Sequence, residues 1–278
     1  MQFSIVTPSY RQGHWLKLCL ASVADQGVAL EHIVQDAGSD DGTLDWLPQD
    51  RRVLAFVEKD SGMYDAINRG LRRATGDVLA WLNCDEQYLP GALQRVTDFF
   101  AARPEVDVVF ADSLVVDEGG RYICERRSLS PQRYHSLVSG NLSYLTAATF
   151  FRRRVVEKHC LFYNADLRDV GDVDWALQLI NKRLRTAALP VLTSVFTETG
   201  DNMSKKDNAT RERRELYASA PWWARALRPA ILGHFRLRRL LAGHYAQKPH
   251  DYAIYTLDSP DRRRSFQVSH PTYRWARH

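Results

Sequence analysis

The chain has 278 residues, of which 45% are hydrophobic and 26% charged, with a formal net charge of +5. This balance is ordinary for a soluble globular protein and long enough for one large domain, or one domain plus an extension. The charge permits an anionic partner (nucleotide, nucleic acid or membrane surface) without choosing among them. Cys19, Cys84, Cys124 and Cys160 lie far apart with no C-x-x-C pair. That spacing argues against a zinc cluster or a disulfide framework and implies reduced thiols in a cytosolic protein. The start, MQFSIVTPSY, lacks the features of a signal peptide. No stretch approaches the roughly 18 apolar residues of a membrane span, so any membrane contact is expected to be peripheral.

In chain order, Phe3 to Thr7 is a β-rich run ended by Pro8. Leu16, Leu20 and Val23 then fall at helical spacing. Glu31 to Gln35 predicts a second strand, followed by the polar cluster DAGSDDGT. Residues 53–57 predict a third strand, Met63 to Arg73 a helix, Val78 to Leu82 a fourth strand, Gly91 to Ala102 a helix and Val106 to Ala111 a fifth strand. Strands alternating with helices at this spacing imply a mostly parallel α/β sheet. Ligands of such open sheets bind outside the carboxyl ends of the strands. Polar clusters sit at four of those ends: Thr7 to Arg11, Asp36 to Asp41, Asp60, and Asn83 to Glu86. A surface loop explains each alone. Four converging on one rim point to a site.

Further on, Tyr144 to Arg152 and Val191 to Phe196 predict strands, and RDVGDVDWALQLINKR runs from acids into a helix. Between Leu216 and His250 there is no acidic residue, which places a boundary near residue 205. The expected division is a catalytic domain over 1–205 and a mainly helical extension over 206–278, whose last twenty residues read as loop or tail unless docked on the rest.

SIVTPSY, DAGSDDGT, SGMYDAINRGLRRATGDVLAWLNCDE and GDVDWAL occur in the order, and near the spacing, of the inverting family 2 glycosyltransferases with a GT-A fold. The resemblance covers about residues 3–204. It implies a Rossmann-like α/β catalytic domain that moves a sugar from a nucleotide-diphosphate sugar to an acceptor hydroxyl. Asn83-Cys84-Asp85 resembles the family's metal motif. Asp85 is then the ligand of Mn²⁺ or Mg²⁺, hard cations that take one or two protein carboxylates plus phosphates. Glu86 stands where relatives often carry Asp. Thr7, Pro8, Tyr10 and Arg11 match the segment that lines the base, where an aromatic can stack. Asp36 is expected to accept from a base N–H, and Asn83 to bond ribose or sugar. Asp65 and Arg69 belong to a segment that lines the donor site, although a plain i,i+4 ion pair explains them equally. Gly70 suits close backbone packing.

Single-displacement transfer needs a base for the acceptor hydroxyl. The resemblance assigns this to Asp172. Asp174 lies two residues on, about 200° around the helix, and cannot serve the same atom. TETGDNMS, with Gly200, falls where relatives carry a mobile loop over the donor, and reads equally as a disordered linker.

The implied partners are a nucleotide-sugar, by default a UDP-sugar, and a saccharide or lipid-linked acceptor of polysaccharide or glycolipid assembly. Residues 222–245 mix Trp and Leu with Arg225, Arg228, Arg236, Arg238 and Arg239. That composition suits peripheral contact with the inner membrane surface, and equally helices packed on the catalytic domain or on a second copy in a homo-oligomer. No nucleic-acid module is present. Two alternatives remain at this stage. One is a sugar nucleotidyltransferase, which TPSYRQGHW after the first strand fits poorly. The other is a non-catalytic nucleotide-sugar-binding module.

Overall fold

The computed structural model describes residues 1–199 and 207–275. Its frame is a nine-stranded sheet built outward from β1 (Phe3–Ser9), which is buried along its length except at half-buried Pro8. β2 (Leu30–Asp36) and β4 (Val78–Trp81) flank β1, and β3 (Leu54–Val57) lies outside β2. These four run parallel, so their carboxyl ends share one rim. β8 (Thr149–Arg152) pairs antiparallel with β4 and joins it to β6 (Val108–Asp117). β9 (Thr186–Glu198) runs parallel to β6. β5 (Glu86–Tyr88) pairs antiparallel with β9, and β7 (Tyr122–Arg126) with β6.

Two helical layers cover the sheet. On one face α1 (Gly13–Ala24) and α3 (Ala92–Ala102) bury Cys19, Val23, Leu93, Val96 and Phe100 against Phe3 and Ile5. On the other, α2 (Met63–Arg73) and α6 (Gly171–Asn181) bury Ile67, Leu71, Trp175 and Leu179 against Val6 and Ile33. Alternation along β1 therefore feeds both cores, as expected of a strand covered on both faces. Gly70 lets α2 reach the sheet: a Cβ there would lie 2.4 Å from Val6 Cγ1.

One predicted strand shortens and one strand goes unpredicted. Within Tyr144–Arg152 only Thr149–Arg152 is strand, and Thr146–Ala148 is a 3₁₀ turn. β5 carried no apolar run to announce it; its backbone is recruited by β9.

Beyond α4 (Arg133–Ser139) and the single turn α5 (Arg154–Glu157), the extension forms α7 (Asp207–Ala218), α8 (Trp222–Ala226) and α9 (Arg228–Leu241). They pack on α4 through Leu137, Val138, Ala220 and Ala224. The chain end is not a loose tail. β10 (His250–Thr256) and β11 (Ser259–Val268) make an antiparallel hairpin. Tyr252, Ile254 and Val268 join a core with Leu114, Val116 and Val195. Arg263 on the hairpin pairs with Asp25 at 2.6 Å and donates to the carbonyl oxygen of Tyr88. The boundary near 205 and the lid segment around Gly200 lie outside the described residues.

Candidate active site

A cleft of about 750 Å³ opens at the carboxyl ends of β1 to β4. Pro8 and Tyr10 line it at the end of β1, Ala37 after β2, Lys59 to Gly62 after β3, and Asn83 to Glu86 after β4. Arg168, Asp169 and Asp172 close the opposite side.

The turn between β4 and β5 is tightly specified. The Asn83 amide donates to Glu86 Oε2 at 2.8 Å, and the Glu86 amide returns a bond to the Asn83 carbonyl at 3.1 Å. Cys84 is turned inward and donates to the Pro8 carbonyl. Asp85 is left facing the cleft. Apart from its own amide, no hydrogen-bond donor engages its carboxylate among the described residues. Glu86 is 1% exposed, and its Oε1 has no partner. Burial raises the pKa of both carboxyls, and for Glu86 the neighbouring Asp85 raises it further. Two crowded acids with an orphaned oxygen and, among the described residues, no cation beside them suit a divalent ion. Among the described residues no group of three or more His, Cys, Asp or Glu side chains converges on a metal position. The donor set therefore fits a hard cation completed by ligand oxygens, not a closed protein cage.

Asp172 enters the cleft from the first turn of α6. Its amide donates to Tyr64 Oη at 3.2 Å, and its Oδ1 accepts from the Val173 amide at 2.8 Å. Burial pushes the carboxyl up to about 6, against the Val173 amide and the charge of Arg213, with Asp169 adding to the rise. Asp174 points elsewhere and accepts from Gln178 Nε2 at 2.7 Å.

Tyr64 stacks on Tyr163, and Tyr163 on Trp175 of α6. Trp81, at the end of β4, donates to Tyr163 Oη at 2.7 Å. This aromatic column ties the Asp172 turn to the β4 end that carries Asp85.

The remaining predicted residues divide. Pro8, Tyr10 and Asn83 line the cleft. Thr7 does not: its hydroxyl is fully buried and shares a hydrogen bond with His32 at 2.9 Å. Asp36 is also fully buried. Its two oxygens accept from the amides of Gly38 and Ser39 and the hydroxyls of Ser9 and Ser39, so it shapes the loop behind the cleft. Arg11 is outside, paired with Asp40 at 2.5 Å. Asp65 and Arg69 form the plain i,i+4 pair at 2.9 Å, with Glu58 added at 3.4 Å.

The cations that do line the cleft are Lys59 and Arg168. Lys59 carried one signal in the sequence, its place directly after the third strand. Arg168 carried only its nearness to the GDVDWAL segment. Arg168 Nη1 donates to the Ser61 carbonyl, which draws it across the cleft mouth.

The Glycosyl transferase family 2 signature matches residues 4–160, more than half of the chain. A PGL/p-HBAD biosynthesis glycosyltransferase of Mycobacterium tuberculosis is 29% identical over 215 residues, covering 71% of this chain and 77% of that protein. A putative teichuronic acid biosynthesis glycosyltransferase, TuaG of Bacillus subtilis, is 32% identical over 122 residues, 42% of this chain and 48% of that one. Among solved structures, S. aureus TarS 1-349 in complex with UDP-GlcNAc superposes with a TM-score of 0.60 at 18% identity, covering 87% of this chain and 73% of that chain. The mannosyltransferase PcManGT of Pyrobaculum calidifontis, in complex with GDP-Man and Mn²⁺, gives 0.56 at 19% identity, covering 88% and 79%. The chain belongs to glycosyl transferase family 2 and is a glycosyltransferase with the GT-A fold.

Proposed function

We propose that this enzyme is inverting and metal-dependent, and that it transfers a sugar from a nucleotide-diphosphate sugar to an acceptor hydroxyl in polysaccharide or glycolipid assembly. The observation that carries the reading is that Asp85 and Asp172, reached from different strand and helix ends, line one cleft. Asp85, with Glu86 beside it, would hold Mn²⁺ or Mg²⁺. The bound ion would offset negative charge on the departing nucleoside diphosphate. Asp172 takes the acceptor proton as the hydroxyl oxygen attacks the anomeric carbon and the bond to the diphosphate oxygen breaks. Lys59 and Arg168 face the donor's phosphates in this reading. Tyr10 offers an aromatic face to the base and Asn83 an amide to ribose or sugar. Thr7 and Asp36 support these contacts from behind. The donor-bound fold relatives support a nucleotide-sugar, with a UDP-sugar as the first choice.

The same reading includes a cytoplasmic enzyme held peripherally at a membrane that carries its acceptor. No helix among the described residues is long and apolar enough to cross a membrane. Trp222 is 76% exposed and Leu241 78%. Leu237, Leu240 and Leu241 lie together on the outer side of α9. Arg225, Arg228, Arg236, Arg238 and Arg239 form no ion pair among the described residues. Arg228 and Arg238 donate to the carbonyls of Val138 and Ser130 and Arg239 lies over Tyr245, while the exposed Arg225 and Arg236 beside this apolar face favour an anionic lipid surface in this reading.

A thermal-shift panel of UDP, GDP, UDP-GlcNAc and GDP-mannose, with and without Mn²⁺, tests the catalytic reading. One diphosphate should stabilise far more with metal than without, and the difference should vanish in Asp85→Ala. Stabilisation independent of Mn²⁺ and of Asp85 would overturn metal dependence. Sedimentation with phosphatidylglycerol and phosphatidylcholine vesicles tests the membrane arm. Equal partition to both, or to neither, would remove it.

A further inference from the structure

The turn that aims Asp172 has no cap of its own. Val170, the residue before α6, makes no side-chain capping bond. The amides leading into the helix are instead served from the extension. Glu212 of α7 is 4% exposed. Its Oε1 accepts the N–H of Arg168 at 3.0 Å, and its Oε2 accepts those of Asp169 at 2.9 Å and Val170 at 3.0 Å. Asn208, one turn earlier on α7, donates to Glu212 Oε1 at 2.8 Å and to Asp169 Oδ2 at 2.7 Å. One carboxylate thus grips three consecutive amides. The side chains of Arg168 and Asp169 line the cleft, and Asp172 follows two residues after Val170.

This is more than a packing contact. A buried carboxylate is costly unless its oxygens are satisfied. Here burial would raise the Glu212 pKa, but the three amides and Asn208 outweigh it and hold the group below the usual carboxylate range, hence ionised. A glutamine could not replace it: it offers one acceptor oxygen and would turn an NH₂ toward an amide N–H.

We propose that Glu212 is a positioning residue for glycosyl transfer, so that the extension completes the active site by clamping the turn that carries the base. This rests on the reading of Asp172 as the base. Two effects follow. The clamp fixes where Asp172 points. The anion also sits at the positive end of α6, where it offsets a field that would otherwise favour ionised Asp172. The groups facing Asp172 are Tyr64 from α2, Arg213 from α7, Asp169 from the turn, and Tyr144 and Tyr163 from the core beneath. Removing the Glu212 charge leaves Arg213 and the helix end less opposed, so Asp172 becomes the weaker base.

The test uses the full chain and the variants Glu212→Gln, Asp172→Asn and the double variant. Carbon NMR of the Asp172 carboxyl needs no substrate. In Glu212→Gln its midpoint should fall by about 0.5 unit; opening the turn to water would lower it too, so the charge-keeping Glu212→Asp, which also disturbs the packing, separates loss of the anion from loss of burial. Release of nucleoside diphosphate from UDP-GlcNAc and GDP-mannose, with Mn²⁺ and water as acceptor, gives kcat and KM. Glu212→Gln should lower kcat by about tenfold or more, a larger factor than any rise in donor KM from the Arg168 turn that the same carboxylate holds. It should cost nothing further in the Asp172→Asn background. Glu212→Asp, which keeps the charge, should restore the midpoint; it also serves if Glu212→Gln does not fold. Full release by Asp172→Asn would sink the base assignment itself. Loss of release in Asp172→Asn, with midpoint and kcat unmoved in Glu212→Gln, would sink the positioning role alone.

Discussion

The phenolic oxygen of Tyr64 lies 3.2 Å from the backbone nitrogen of Asp172 and accepts its N–H. α2 therefore holds, across the cleft, the amide of the residue proposed as the base. Tyr64 is buried and stacked, so the contact is made by a ring with little freedom. In Tyr64→Phe the ring stays and the acceptor goes. An amide left buried without a partner costs about 1–3 kcal/mol. Thermal unfolding should report a loss of that size. Turnover should fall further than binding, because a misplaced base leaves the donor's own contacts intact; kcat should drop while donor KM holds.

Asp172 gives turnover and stability opposite pH dependences. The proposed base must be ionised, so kcat/KM should rise with pH and level off above about 6, the value to which burial pushes this carboxyl in the free enzyme. Stability runs the other way. The folded chain holds this proton more tightly than the unfolded chain, so stability is lost as pH rises from the ordinary carboxylate range through about 6. Asp172→Asn removes that penalty. It should stabilise the fold at pH 8 by on the order of 1–3 kcal/mol, while lowering kcat by roughly 10²–10⁴-fold. A variant that loses both stability and activity would contradict the assignment.

The rim was legible in the sequence because parallel strands put their polar ends on one side, and the cleft lies there. What was not legible was orientation. Thr7 and Pro8 are adjacent, and a strand buried on both faces gives no sign of which one turns to the cleft. Asp36 falls in the right loop, but four hydrogen bonds from its neighbours consume it. Arg69 obeys the local i,i+4 rule, and the local rule prevails. Glu212 left no trace, because its bond to Val170 spans 42 residues and no periodicity encodes such a contact.

Asp85 and Glu86 make a prediction that needs no substrate. Burial pushes both carboxyls upward, and the neighbouring Asp85 pushes Glu86 further. A divalent ion would favour their ionised forms, so adding Mn²⁺ should release protons near neutral pH and raise the midpoint of unfolding. Glu86→Gln removes one of the two charges while its oxygen can still accept from the Asn83 amide. It should leave the turn folded and weaken Mn²⁺ binding, as read by calorimetry. Asp85→Asn should weaken it more, since that carboxylate has no structural bond to keep it from the ion.

Two glycines separate packing from catalysis. In a helix interior Gly→Ala is worth about 1 kcal/mol of propensity in favour of alanine. Gly70 cannot collect it. A Cβ there would lie 2.4 Å from Val6 Cγ1 and 2.9 Å from Cγ2, both held in a packed core. Overpacking of this kind costs about 1–3 kcal/mol, so Gly70→Ala should lower the unfolding midpoint with little change in kcat once folded. At Gly171 the same methyl would lie 2.5 Å from Tyr64 Cε2. There the yielding atom belongs to the ring that holds the Asp172 amide. Gly171→Ala should therefore lower kcat well beyond what its loss of stability explains. Measuring midpoint and kcat for both variants decides the matter: equal losses of kcat would mean that the Tyr64–Asp172 contact does not set the position of the base.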